Sequence, residues 1–364
     1  MIWVALVGGA VVVFLVGQII ALGIVLSSGD EATRGLGYYG RSPAGREAFR
    51  AKLRRHSRLL SPILWIFGRF SSFTFEKASF RHSGLTGPRG TCTEESFAAG
   101  MAYSPAVEDV FVVTQMKSGT TWMQHLVYEI LMRGRGDLVD SGATLYAVSA
   151  WLEAVKSVSV ADAPLVGEER PTRLIKTHLP ASACPISDHA KYIYVARHPV
   201  SCFASCADFI RENAGRLAPP LDATERWFCS PDMWWGEWPE HVEGWWTAAS
   251  DRENVLFVHF EEMKRDLPDV TRRVTEFLGL EARSDPGIDE IVRKCGFDYM
   301  KRNAGTFEMH PPHLLSTDAR LFAKGTTLRH QDVPQETRER VSRWCVSRLE
   351  QADYPLSRFY PDLT

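Results

Sequence analysis

Four short apolar runs constrain this chain more than any other feature: DVFVVTQ at 109–115, RLIKTH at 173–178, KYIYVARH at 191–198 and NVLFVHF at 254–260. Each has the length of a strand and reads as apolar on both faces, so each needs cover on both sides. Helical patterns fill the intervals, near 120–133, 144–156, 200–212, 240–250 and 266–279. Such alternation predicts an α/β fold, a parallel sheet flanked by helices, with ligands held beyond the carboxyl ends of the strands. No internal repeat or long low-complexity segment interrupts it. Residues 106–355 are read as one catalytic domain, with 356–364 as a C-terminal tail.

The balance of charge narrows the chemistry. Across 364 residues the formal net charge is -2, and 24% of residues are charged, so no nucleic-acid partner is expected and any anion site must be local. The seven cysteines are scattered and form no CxxC pair, which suits a reducing compartment. His310 and His313 are separated by two prolines and cannot share a helical face, so no metal is expected there.

The N-terminus is of another kind. No formally charged side chain precedes Asp30, and Ile2 to Leu26 is apolar apart from Gln18 and four glycines. As a helix this run reaches roughly 37 Å, enough to cross a hydrocarbon core of about 30 Å with some tilt. A cleaved signal peptide is the competing reading, but it predicts a basic start and a shorter apolar stretch. Residues 1–27 are therefore read as a transmembrane anchor. Arg34, Arg41, Arg46 and Arg50 follow it, which puts the catalytic domain of a single-pass protein on the cytoplasmic side. Residues 28–105 read as a juxtamembrane linker and pocket-side segment, basic and Gly-rich to about 80 and loop-like thereafter. Within it, the apolar stretch 59–75 is expected either to lie on the bilayer surface or to pack on the domain.

The most informative segment is TQMKSGTTW, Thr114 to Trp122. A buried strand ends, Lys117, Ser118 and Gly119 turn the chain, and Thr120 and Thr121 open a helix. Such a turn aims backbone amides and the positive end of a helix at one point, which makes an anion site. Gly119 permits close approach of backbone to ligand, and Trp122 offers a flat face for a purine. A Walker A loop would need its lysine after the last glycine and a glycine at the loop entry, and both are missing. A phosphate-transferring enzyme would also need a Mg²⁺-holding carboxylate, for which only Glu261 and Glu262 stand at a strand end.

TQMKSGTTW resembles the 5′-phosphosulfate loop of the cytosolic-type sulfotransferases, usually written TYPKSGTTW. Three further matches follow in that family's order. KTHLP at 176–180 is similar to its catalytic strand end, YVARHPVSCFAS at 194–205 to its 3′-phosphate motif, and WGEWPEHVEGWW at 235–246 to its Trp-rich helix. The resemblance implies a P-loop-like sheet. It also implies transfer of a sulfuryl group from 3′-phosphoadenosine 5′-phosphosulfate (PAPS), as co-substrate and without a metal, to a hydroxyl or amine of a small acceptor.

It also implies roles. Lys117 would neutralise the leaving oxygen and Lys176 the sulfuryl oxygens. His178, two residues along the strand from Lys176 and so on the same face, would be the general base. Lys117, Ser118, Gly119, Thr120, Thr121 and Trp122 would cradle the donor, with Arg197 and Ser205 on the 3′-phosphate. Phe260, Cys295 and Phe297 would flank the adenine, and Lys324 and Gly325 would form the clamp. The chain departs from the family at Ala323, where arginine is usual and Arg320 or Arg329 could substitute, and at Phe260 and Cys295, where tyrosine and threonine are usual. It departs again at Gln115-Met116 and at HQDV, where the family's GDW is absent. Six of the eleven tryptophans crowd residues 226–246; most are expected in the core and one or two at an apolar acceptor. Glu168 and Glu169 are expected to be solvated. Two rival functions stand beside this one: a P-loop-like kinase acting on a small alcohol, and an inactive membrane-tethered nucleotide-binding protein. The acceptor's identity and the oligomeric state leave no mark in the sequence.

Overall fold

The computed structural model describes residues 2–70, 73–281, 285–317 and 331–363. Helix α1 (Ile2–Glu31) carries the uncharged run, and within it Val7–Ser27 has a mean hydropathy of 2.6, is long enough to cross a membrane and contributes no buried residue. The basic stretch beyond it is folded where the sequence predicts a linker. Helix α2 (Pro43–Leu59) starts at a Ser42 cap, whose hydroxyl accepts from the Gly45 amide at 3.2 Å, with Pro43 in the first turn. It buries Phe49 and Leu53 on one side and exposes Lys52, Arg55 and Arg58 on the other. Those cations dominate the composition and hide an amphipathic helix. Helix α3 (Ser61–Phe70) follows and packs on the domain through Ile63, while Trp65 stays 58% exposed. The loop expected from 81 is also structured, as an antiparallel hairpin of β1 (Ser79–His82) and β2 (Leu85–Pro88), then helix α4 (Glu94–Met101).

The central sheet is parallel and five-stranded, in the order β4-β5-β3-β6-β7. Its strands are β3 (Asp109–Val113), β4 (Ser149–Trp151), β5 (Arg173–Thr177), β6 (Lys191–Ala196) and β7 (Val255–His259). Four of them are the apolar runs of the sequence. The fifth, β4, replaces most of the helix expected at 144–156. Only α6 (Leu145–Val148) is helical there, because the chain must become extended to pair Ser149 with Leu174 and Trp151 with Lys176. β3 sits in the middle, and the chain adds strands on one side of it and then on the other. This creates the crevice at strand ends where such sheets hold ligands.

Helix α5 (Thr120–Leu131) follows β3, and α7 (Pro199–Ala214) follows β6, with Pro199 in its first turn and the His198 ring accepting from the Ser201 amide at 3.4 Å. Helices α8 (Leu221–Phe228) and α9 (Trp238–Asp251) carry the tryptophan-rich region into the core: Trp238 and Trp245 are fully buried. After β7 come α10 (Phe260–Arg265), α11 (Leu267–Phe277), α12 (Asp285–Cys295) and α13 (Phe297–Arg302). Helix α14 (Gln335–Leu349) lies against α7 and α9, and the tail returns through α15 (Leu356–Phe359), stacking Phe359 on His259 at 3.8 Å.

Candidate active site

Three neighbouring strands deliver the site. In register, Val113 of β3 lies beside Thr177 of β5 and Tyr194 of β6. The turn after β3, His178 after β5 and Arg197 after β6 therefore leave the sheet at one edge. In the turn, Lys117 and Gly119 both adopt left-handed backbone, with φ of 65° and 103°. A Cβ on Gly119 would come within 2.7 Å of the Phe260 ring, so the position needs glycine for space as well as for conformation. Helix α5 starts immediately after, and its first-turn amides have no intrahelical acceptor. Those amides, with the Lys117 ammonium, fit an anionic ligand. The Thr120 hydroxyl pairs with that of Thr114 at 2.6 Å, Thr121 approaches the Tyr146 hydroxyl at 3.4 Å, and Ser118 is buried toward Cys202.

His178 is pinned to this turn. Its Nδ1 lies 2.7 Å from the Thr114 carbonyl, an acceptor only, so Nδ1 carries the proton and Nε2 keeps the lone pair. Burial pushes the imidazole well below its usual pKa, helped by the Lys176 charge, and it is neutral at physiological pH. Glu153, fully buried, fixes the strand end that carries it. Its carboxylate accepts from the His178 amide at 2.9 Å, the Thr177 hydroxyl at 2.8 Å and the Trp151 indole at 2.9 Å. Lys176 is on the same side of the sheet but does not line the cavity. Its ammonium lies 3.3 Å from the centre of the Trp151 ring and donates to the Tyr146 hydroxyl at 3.2 Å. Burial pulls its pKa well below the ordinary lysine value, and the Glu153 carboxylate offsets that fall only in part.

Arg197 joins the same turn from the other side, its Nη1 donating to the Lys117 carbonyl at 2.8 Å and its guanidinium lying 4.5 Å from the Phe260 ring centre. Ser205 is buried eight residues on, in α7. Trp122 is held by its indole N–H donating to the Cys295 carbonyl at 2.8 Å, edge-on to Phe260. Cys295 thus serves through its backbone, and its side chain is fully buried. Lys264 sits 5.8 Å from both the Trp122 and Phe297 rings, which makes an aromatic wall with a cation beside it. Glu261 and Glu262, the carboxylates a kinase would need, are taken by caps: Glu261 accepts from the His198 amide at 3.2 Å and Glu262 from the His259 amide at 3.0 Å. Ala323, Lys324, Gly325, Arg320, Arg329 and the HQDV stretch up to His330 lie outside the described residues.

Beside the turn is a cavity of about 260 Å³ lined by Lys117, His178, Trp151, Phe209, Trp234 and Trp235 among others. Two tryptophans of the crowded region reach it. Gln115, where the family has tyrosine, ties the turn to them by donating to the Trp234 carbonyl at 3.2 Å and the Gly236 carbonyl at 2.5 Å.

The family model described as the sulfotransferase domain matches residues 107–353. The chain belongs to the sulfotransferase family. As a member it is a PAPS-dependent sulfotransferase. Sulfotransferase 2B1 of Mus musculus is 30% identical over 252 residues, covering 67% of this chain and 72% of that protein. The crystal structure of mouse sulfotransferase SULT7A1 complexed with PAP shares the fold at a TM-score of 0.60 and 22% identity, over 79% of this chain and 100% of that one. Retinol dehydratase in complex with androsterone and inactive cofactor PAP does so at 0.61 and 20%, over 77% and 95%.

Thr114, Tyr146, Trp151, Glu153 and Lys264 escaped the sequence analysis. Each of the five is seen here through its contact with a neighbouring residue, and no motif or spacing marks such a role. Glu168 and Glu169 are exposed, as expected, and pair there with Arg135 and Arg133.

Proposed function

We propose that the sulfotransferase moves the sulfuryl group of PAPS to the hydroxyl (or amine) of a small, amphiphilic acceptor lodged in the cavity beside His178. The bond from sulfur to the bridging oxygen of the 5′-phosphate breaks, and a bond from sulfur to the acceptor oxygen forms. The acceptor proton passes to Nε2 of His178, and the Lys117 ammonium neutralises charge growing on the leaving oxygen. Lys176 adds positive potential from behind Trp151. The turn from Lys117 to Trp122 would hold the 5′ end of the donor, and Arg197 with Ser205 the 3′-phosphate. Phe260 and Phe297 would flank the adenine with Trp122, which the Cys295 carbonyl holds in place, and Lys324 with Gly325 would serve as the clamp that the family resemblance implies.

The observation that carries this reading is the Nδ1–Thr114 bond. It holds the Nδ1–H of a neutral imidazole on Thr114, at the end of the strand that leads into the anion-binding turn, and leaves the lone pair on Nε2. The aromatic lining supports an apolar acceptor, as does the androsterone bound by the retinol dehydratase neighbour. Helix α1 supports a single-pass anchor with the domain on the cytoplasmic side, since the arginines lie downstream of it. On this reading residues 1–27 are the anchor and 106–355 the transferase.

The test is release of 3′,5′-ADP with formation of a sulfate ester, in the presence of EDTA. We expect Lys117→Ala to lower kcat by about 10²–10³ and His178→Ala by about 10²–10⁴. Undiminished sulfation in both variants rejects the roles, and phosphate transfer from ATP that needs Mg²⁺ rejects the reaction.

A further inference from the structure

Helices α2 and α3 share one exposed stripe. Arg55, Arg58, Pro62, Trp65 and Arg69 follow one another at alternating steps of three and four, and all five are exposed. The junction keeps the helical turn: the Leu60 amide donates to the His56 carbonyl at 2.8 Å and the Leu64 amide to the Leu60 carbonyl at 3.0 Å. The stripe therefore stays on one side as the chain passes from α2 into α3, away from buried Phe49, Leu53 and Ile63. Lys52 and Leu59 lie alongside it and are exposed too. Residues 43–70 hold a single acid, Glu47, and Arg54 pairs with it, so no carboxylate of these two helices offsets the stripe. Helix α1 lies against the same corner. It packs on the core along one side, through Leu15, Leu22 and Val25, and touches α3.

We propose that this stripe is a docking surface for the anionic phospholipid headgroups of the bilayer that α1 spans. This rests on the reading of α1 as a single-pass anchor with the domain on the cytoplasmic side, where the leaflet carries acidic lipids. Lys52, Arg55, Arg58 and Arg69 reach the headgroup anions along long, flexible stems. Leu59 and Trp65 stand among them as apolar surface that the headgroup layer accepts better than water does, and the Trp65 indole N–H still finds oxygen acceptors there. An acidic protein would match the charge, but only the bilayer is brought to the stripe by α1.

The experiment reconstitutes the full chain in vesicles of phosphatidylcholine, with or without a share of phosphatidylserine, using lipids brominated near the headgroup as tryptophan quenchers. Subtracting the signal of Trp65→Phe isolates Trp65. We expect Trp65 to be quenched in the anionic vesicles and released in the neutral ones, or in about 1 M salt, where charge is screened beyond about 3 Å. Each cation near such a surface is worth about fivefold in population. The triple substitution Lys52→Gln, Arg55→Gln and Arg58→Gln should therefore lower the ratio of docked to undocked domains about a hundredfold. Absent quenching in the anionic vesicles, equal quenching in both, or quenching that survives the triple substitution overturns the proposal. So does polyglutamate shielding Trp65 from acrylamide where anionic vesicles do not, which assigns the stripe to an acidic protein. Resistance to alkaline carbonate extraction reports the anchor separately. A chain that is extracted but floats with anionic and not neutral vesicles upholds the surface and rejects the anchor; one that floats with neither rejects both.

Discussion

At the scale of the residue, His178 joins a fixed tautomer to a depressed pKa. A carbonyl on Nδ1 leaves a single basic nitrogen, and burial keeps that nitrogen unprotonated well below the usual 6.5. Because the pKa is lowered, the proposed base is ready across the neutral range and is lost only as pH falls through its depressed value. The acid limb of kcat/KM against pH, measured at saturating PAPS, is therefore expected below 6.5, with a flat profile from there to mild alkali. A limb at or above 6.5 refutes the burial argument. The same depression shows why Glu153 is where it is: its carboxylate opposes the fall of Lys176 while gripping the His178 amide. Sequence spacing placed Lys176 and His178 on one side of a strand. It held no sign that Trp151 would lie over the lysine, because that contact comes from a strand of three residues in a stretch that reads as helix.

At the scale of the element, the β3–α5 turn is the part most open to a single change. Gly119→Ala forces a side chain into left-handed backbone, which costs about 1 kcal/mol, and drives its Cβ into Phe260. Phe260 lies under Arg197, so the disturbance reaches both the turn and Arg197, the two ends of the proposed donor site. Calorimetry with 3′,5′-ADP should show affinity falling at least tenfold, with acceptor binding little altered; unchanged affinity removes the turn from the donor site. The four apolar runs made this element legible, since a buried parallel strand announces itself by composition and the turn by its Lys-Ser-Gly-Thr-Thr order. The basic α2 gave the opposite result. Its arginines and lysines outweighed Phe49 and Leu53 in any reading of composition, and only packing revealed which side was core.

At the scale of the whole molecule, the segment between α1 and the hairpin is stitched to the cavity wall. The Tyr38 hydroxyl donates to Glu308 at 2.7 Å and that of Tyr39 to the Met309 carbonyl at 2.7 Å, while Arg50 pairs with Glu308 and reaches the Thr317 carbonyl at 3.2 Å. Tyr39 also packs on Tyr146, the partner of Lys176. Tyr38, Tyr39, Phe49 and Leu53 are all buried, each worth about 2 kcal/mol, against a typical total of about 5–15 kcal/mol. A chain beginning at Ala32 is expected to melt like the full protein in circular dichroism. One beginning at Ser61 should lose cooperative unfolding, and equal melting of the two would show the stitching to be idle. Glu308 has a wider consequence. It is held by residues upstream of position 107, where the family's own boundary falls. A chimera that grafts residues 107–353 onto another leader would lose the partners of Glu308 and Met309, so the unit that can be exchanged as a whole begins near residue 33.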